Sequence, residues 1–229
     1  MYGQKMNGTV KEFRLAEITF TKKEIENDRM LGIHTCEIQE WDGVMFDYHR
    51  GEPTPYRALE VLIDAYDPPE DPFLIDYGSA LGRINFYFHH RLQMPGIGLE
   101  VDRDRFYRAG VNKEKYALKK GLSSDDVSID FLELKAEEYF PPPHANVFYF
   151  FHPFSDWIFR LVMGQILRSI DERDRTVDLL LYYPSFQYFQ AIESSGMFEE
   201  ILFVDCGWNK DPRDGFWVFR HQQENNLSE

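Results

Sequence analysis

Residues Asp71 to Asp104, DPFLIDYGSALGRINFYFHHRLQMPGIGLEVDRD, read as a strand, a tight glycine turn, a helix and a second strand that closes on a carboxylate. Phe73-Leu74-Ile75 is a short apolar strand with Asp76 at its end, and Gly78-Ser79-Ala80-Leu81-Gly82 cannot continue it without a turn. Such a turn lets backbone come close to a ligand. Ile84 to Leu92 carries a helical run, and Gly98-Leu99-Glu100-Val101-Asp102 gives the edge of a second strand. Glu100 lies roughly twenty residues past the glycine turn, where a carboxylate accepts two hydrogen bonds from a ribose diol.

The glycines decide which nucleotide-type ligand suits this unit. A dinucleotide fold requires G-x-G-x-x-G, with a second glycine for close approach to the pyrophosphate and a third for close helix–strand packing. Counted from Gly78, those places hold Ala80 and Arg83. An arginine where a side chain must be missing argues against NAD. The pattern D-x-G-x-x-x-G-R, from Asp76 to Arg83, instead resembles the first motif of class I S-adenosylmethionine (SAM) methyltransferases. The resemblance runs from about Thr54 to Arg220 and is nearest to small bacterial members of that family. It implies SAM as cofactor and an α/β, Rossmann-like sheet of seven strands, mostly parallel with a C-terminal antiparallel hairpin.

The resemblance also assigns residues. Asp76, Gly78 and Gly82 fall to the methionine side, with Ser79 and Arg83 in the same motif. Glu100 falls to the ribose hydroxyls, with Val101 beside it. In the family a T-P-Y-like segment before the first strand closes over the methionine end, which matches Thr54 and Tyr56; an ordinary helix cap at Thr54 is the alternative. Adenine contacts follow the third strand, where Lys135-Ala136-Glu137 fits best and points to Ala136 and Glu137, with Asp130 an alternative if that strand is shorter. Phe151 to Phe154 would form the floor under the methyl. There His152-Pro153-Phe154 stands where amino methyltransferases carry Asn/Asp-Pro-Pro-aromatic, a motif that aligns a nitrogen lone pair and stacks a planar substrate. The match is partial, since His152 replaces the amide or acid. A neutral imidazole accepts a hydrogen bond, which suits transfer to nitrogen or oxygen; a histidine that only caps the strand end is the alternative.

Composition sets the frame. The 229 residues suffice for one α/β domain plus an N-terminal addition, and 43% hydrophobic content with twenty phenylalanines implies a dense aromatic core. A net charge of -14 repels a phosphate backbone at long range, so bulk duplex nucleic acid is a poor partner, although a local basic patch would still serve a structured RNA. Cys36 and Cys206 are far apart and in no metal-type spacing, which suggests free thiols in a reducing compartment and no metal site. The N-terminus lacks the apolar run of a signal peptide, and no stretch approaches the eighteen or so apolar residues of a membrane span. A cytoplasmic protein with no membrane partner is expected.

Along the chain, residues 1–51 stand outside the nucleotide-binding pattern, residues 52–221 form the SAM-binding domain and 222–229 a fraying tail. Glu12 to Phe20 alternates loosely as a strand does. Thr21 with Glu24 three residues on reads as a helix start, and His34 to Tyr48 suggests a hairpin around Asp42-Gly43. This region is either a cap that selects substrate at the cofactor mouth or a packing appendage or dimer contact. Helices are expected over Tyr56–Ala65, Asp104–Gly121, Ser155–Asp171, with Trp157, Ile158, Leu161, Val162, Ile166 and Leu167 inward, and Phe186–Ser195. Strands are expected over Val127–Leu132, Asn146–Phe151 and Thr176–Tyr183, and Glu200–Asp205 and Gly215–Arg220 have no room for a long helix between them and should pair antiparallel. Two functions follow: methyl transfer to a nitrogen or oxygen of a small molecule, a protein side chain or an RNA base, or a catalytically silent SAM- or nucleotide-binding interaction protein, which the departures at Ala80, Lys135 and His152 would permit.

Overall fold

The computed structural model describes residues 20–40, 47–207 and 211–223. The expected strand over 12–20 except its last residue, Phe20, the hairpin turn at Asp42-Gly43 and the tail beyond 223 lie outside them. Strands β1 (Leu74–Tyr77), β2 (Gly96–Glu100), β3 (Ile129–Glu133), β4 (Val147–Phe150), β5 (Val177–Tyr182), β6 (Glu199–Asp205) and β7 (Gly215–His221) form one sheet. Helices α1 (Lys22–Leu31), α2 (Tyr56–Ala65), α3 (Arg83–Leu92), α4 (Arg103–Lys120), α5 (Asp156–Glu172) and α6 (Phe186–Ser195) cover it. The order is β3-β2-β1-β4-β5-β7-β6. All neighbours are parallel up to β5, and β7 runs antiparallel to both β5 and β6. The expected seven-stranded, mostly parallel sheet with a terminal antiparallel hairpin is therefore what forms.

Burial follows from this order. β1, β4 and β5 are buried at every position, as continuous apolar runs in a sheet covered on both faces should be. One face packs α1 to α4 through Leu59, Leu62, Phe86, Phe88 and Tyr116, and the other packs α5 and α6 through Phe159, Val162, Ile166 and Tyr188. Among the described residues no helix is long and apolar enough to cross a membrane. Strand order reverses between β1 and β4, so their carboxyl ends border the crevice where open α/β sheets hold ligands.

Two sequence expectations on α5 do not hold. Trp157 and Leu161 are exposed, at 62% and 39%. The buried stripe runs through Ile158, Phe159, Val162, Met163, Ile166 and Ile170, and on a 3.6-residue period Trp157 and Leu161 fall to its solvent side.

The N-terminal helix is fixed to the sheet by Arg83. Its side chain is buried, with Nε donating to Thr35 Oγ1 at 2.7 Å, Nη1 to the Thr54 carbonyl at 3.0 Å and to Glu24, and Nη2 to Cys36 Sγ at 3.2 Å. Asp28 lies 3.6 Å from Nη2, and the guanidinium sits 4.2 Å over the Tyr56 ring. Tyr56 is fully buried, its OH donating to Asp28 at 2.7 Å and its N–H to Glu24 at 2.8 Å. Thr21 does cap α1, accepting from the Glu24 N–H, while the Glu24 carboxylate turns to Arg83 and Tyr56. Removing one partner of a buried ion pair leaves the other charge uncompensated, at a cost of about 3–5 kcal/mol. Arg83→Met should therefore lower unfolding stability by about that amount in a urea titration. A loss under about 1 kcal/mol would show that the network is not an anchor.

Candidate functional site

The site is built where β1, β2 and β4 end together. Asp76 pairs across the sheet with Gly98 and Tyr149, and Tyr77 with Leu99 and Phe150. Beyond β1 the chain turns through positive φ at Gly78, Ala80 and Gly82, and the Gly78 and Ser79 N–H groups donate to the Leu99 carbonyl at 3.0 and 2.9 Å. A Cβ on Gly78 would lie 2.6 Å from the Pro153 Cβ, and one on Gly82 2.5 Å from the Phe131 ring. Both glycines thus admit close packing of neighbouring elements, Pro153 from the loop after β4 and Phe131 from β3.

Two carboxylates face this turn. Glu100, at the end of β2, is 4% exposed, with Oε1 accepting from the Asp102 N–H at 2.8 Å and Oε2 from the Ala80 N–H at 2.9 Å. Burial raises its pKa. Each oxygen keeps a further lone pair for a donor such as a hydroxyl. Asp76 is 2% exposed, and its Oδ2 has no hydrogen-bond partner, nor has the buried Ser79 Oγ. Burial, with the Glu100 charge adding to it, holds the Asp76 carboxyl well above the usual range. A buried carboxylate oxygen without a donor is costly, and a ligand ammonium would satisfy it.

A strap over residues 47–53, whose partners no local pattern announces, covers these groups. Tyr48 bridges to Phe154 and donates from its OH to Glu137 at 2.6 Å. The His49 N–H donates to the Pro153 carbonyl at 2.9 Å, and His49 Nδ1 donates to the His152 carbonyl at 2.7 Å. Ser155 bonds Asp47 through both N–H and Oγ, and Gln39 pairs with Gly51. Arg105 reaches from α4 to the Gln39 carbonyl at 2.8 Å. Beneath the strap lie two small hollows. One, of about 30 Å³, touches Thr54, Asp76, Gly78, Ser79 and Arg83; the other, of about 40 Å³, touches Glu100, Val101, Ala136, Pro153 and Phe154. A third pocket, of about 720 Å³, opens beside them, and Phe151 lines all three.

The residues singled out from the sequence thus divide. Asp76, Gly78, Ser79, Glu100, Val101, Ala136 and Phe151 come together around the crevice. Thr54 joins them; it does not cap α2, whose N-cap is Pro55, and it shares a 2.6 Å hydrogen bond with the Tyr149 OH. Tyr56 does not join them, because its ring and OH are committed to Arg83 and Asp28. Arg83 borders the 30 Å³ hollow, but its guanidinium is turned to the N-terminal segment. Asp130, second residue of β3, is exposed and bonds Lys113, away from the strand's carboxyl end. Phe154 is fully buried, with its carbonyl accepting from Tyr188 OH at 2.6 Å, so it walls the 40 Å³ hollow and offers no stacking face to a substrate in the larger pocket.

His152 borders the large pocket. Its backbone has φ of 41°, a conformation uncommon for a side chain of this kind, and its ring stands 4.5 Å from His49 and 5.3 Å from Tyr188. Burial, then the neighbouring His49 and Arg213, lowers its pKa to about 4. The imidazole is therefore neutral near pH 7 and able to accept a hydrogen bond. No group of three His, Cys, Asp or Glu side chains placed to hold a metal ion occurs among the described residues.

No family model matches the chain, and no curated protein matches it in sequence. Solved structures do match. An RNA methyltransferase from Salinibacter ruber, in complex with S-adenosyl-L-homocysteine, is 17% identical with a TM-score of 0.53, over 78% of this chain and 100% of that one. A protein of the NADB-Rossmann superfamily from Streptococcus agalactiae is 16% identical with a TM-score of 0.50, over 76% and 71%. The StiE O-MT, residues 961–1257, is 12% identical with a TM-score of 0.50, over 76% and 75%. Identities this low speak for architecture only. With its strand order, its reversed seventh strand and its glycine turn after β1, the chain has the fold of the class I SAM-dependent methyltransferases.

Proposed function

We propose that the chain is a SAM-dependent methyltransferase acting on a nitrogen or oxygen. The observation that carries this reading is the buried, unpartnered Asp76 carboxylate beside the glycine turn, with Glu100 across it at the end of the next strand. In this reading Asp76 and the Ser79 hydroxyl hold the amino-acid end of SAM, Glu100 holds the ribose hydroxyls, and the turn at Ala136-Glu137 borders the adenine. Residues 1–51 act as a cap on the domain formed by 52–221. The cofactor, when bound, supplies an electrophilic methyl group, so the protein must align a nucleophile and exclude water. Phe151, shared by cofactor hollows and large pocket, separates the two and shields the transfer point. His152, neutral at its border, accepts the N–H or O–H of the acceptor and orients the lone pair.

The hollows of about 30 and 40 Å³ fall far below the roughly 300–1,000 Å³ of ordinary ligand sites, so cofactor entry requires the strap over 47–53 to move. The departures at Ala80, Lys135 and His152 support a second reading, a SAM- or nucleotide-binding protein without turnover. Release of S-adenosylhomocysteine in the presence of cell extract, abolished by Glu100→Ala, separates the two; absence of release despite cofactor binding sinks the first.

A hydrogen bond to a charged carboxylate contributes about 1.5–3 kcal/mol, so Glu100→Ala should weaken SAM binding roughly ten- to a hundredfold in equilibrium dialysis. Unchanged affinity would contradict the assignment. Asp76→Asn should move stability and binding in opposite directions. Because burial raises the folded-state pKa of Asp76 above its unfolded value, this group favours folding fully only at low pH, and the contribution is lost as pH rises through the folded pKa. Ligand-free Asp76→Asn should accordingly melt above the wild type at neutral pH, by a margin that shrinks on acidification, while binding SAM more weakly. A variant that melts lower at pH 7 would show Asp76 to be paired in the free protein.

A further inference from the structure

The acceptor pocket carries information about its substrate, on the understanding that the methyl-transfer reading holds. It encloses about 720 Å³, within the range of roughly 300–1,000 Å³ that suits a small organic molecule. Most of its wall comes from residues 20–57, and the edge of the sheet contributes Phe151 and His152 after β4, Tyr182 and Tyr183 at the end of β5, and Asp214 before β7. The sheet side is aromatic: the Phe151 and Tyr182 rings meet edge to face at 4.8 Å, and Tyr182 is fixed by donating its OH to the buried Asp214 at 2.8 Å. Rings held this way favour a flat, largely apolar body.

The charges argue against a polynucleotide. A phosphate backbone is held by a track of lysines and arginines, and a base drawn into a pocket must in addition be unstacked. Here Arg50 is engaged by Glu40 and Glu52, and Arg213 by Asp211 over the Tyr183 ring. Arg57 is the one other lysine or arginine among the described residues that line the pocket, and two arginines, one of them held by carboxylates, are not a track. The whole chain, in addition, carries -14.

We infer that the methyl acceptor is a small, ring-bearing molecule that presents an N–H or O–H to His152, and not an RNA. In the transfer a C–N or C–O bond forms from the acceptor's lone pair while the S–C bond to the methyl breaks. Its electron pair stays on sulfur as a thioether, and the acceptor's proton leaves to water. Ile38, on the N-terminal wall, touches this pocket and neither of the cofactor hollows.

The test uses the full chain with methyl-labelled SAM and an extract separated into small metabolites, proteins and RNA, with SAM binding measured first by equilibrium dialysis. Label should enter the metabolite fraction, and Ile38→Trp, which fills part of the pocket, should cut that labelling roughly tenfold or more while SAM affinity stays within about twofold. Label in RNA or protein, or undiminished labelling of metabolites by Ile38→Trp, overturns the inference. So does SAM binding with no label in any fraction, which leaves only the silent reading. Failure to bind SAM at all removes the methyltransferase reading and the inference together.

Discussion

The buried guanidinium of Arg83 is the contact on which the site depends. It stands at the first position of α3, directly after the glycine turn, and it holds Glu24, Thr35 and the Thr54 carbonyl from three places in the N-terminal region. A charge so deeply buried persists only where its donors are matched, and here α1, the segment after it and the lead-in to α2 supply the acceptors. The result is that the N-terminal segments cannot be placed independently of the turn. Whatever the strap over 47–53 does, its neighbours on both sides are tied to Arg83.

That constraint explains the division of the crevice. The sheet provides the two carboxylates and the glycine turn in a rigid frame, since β1 and β4 are buried at every position. The strap, by contrast, is held from outside the sheet, by hydrogen bonds from Tyr48 to the turn after β3, from His49 to the loop after β4, and from Ser155 of that loop back to Asp47. Elements held by few contacts open at lower free energy than a packed core. Rigid carboxylates under a movable cover are what the proposed methyl transfer needs, a site that binds and then excludes water.

Much of the frame was legible. The glycine turn, the carboxylate at Glu100 and the terminal hairpin follow from short-range rules: turn residues, strand runs and connection length. Gly78 and Gly82 fall where the motif places them, yet their neighbours Pro153 and Phe131 come from distant strands that no local pattern announces. Arg83 shows the limit most clearly. Its position excludes the dinucleotide glycine, but its partner Glu24 lies 59 residues away, and Glu24 itself reads as part of a helix cap. Tyr56 was assigned to the cofactor by resemblance, and the same network draws it into the core. The strap was illegible because its hydrogen bonds run from Tyr48 and His49 to residues some hundred positions on, a separation that periodicity cannot reach.

The most direct measurement is a calorimetric titration of the chain with S-adenosylhomocysteine, with NAD as the control. Saturable heat at one site per chain, absent for NAD, is the result expected if Asp76 and Glu100 frame a SAM site beneath the strap. No heat with S-adenosylhomocysteine, or equal binding of NAD, would contradict it and leave the methyltransferase fold serving another ligand.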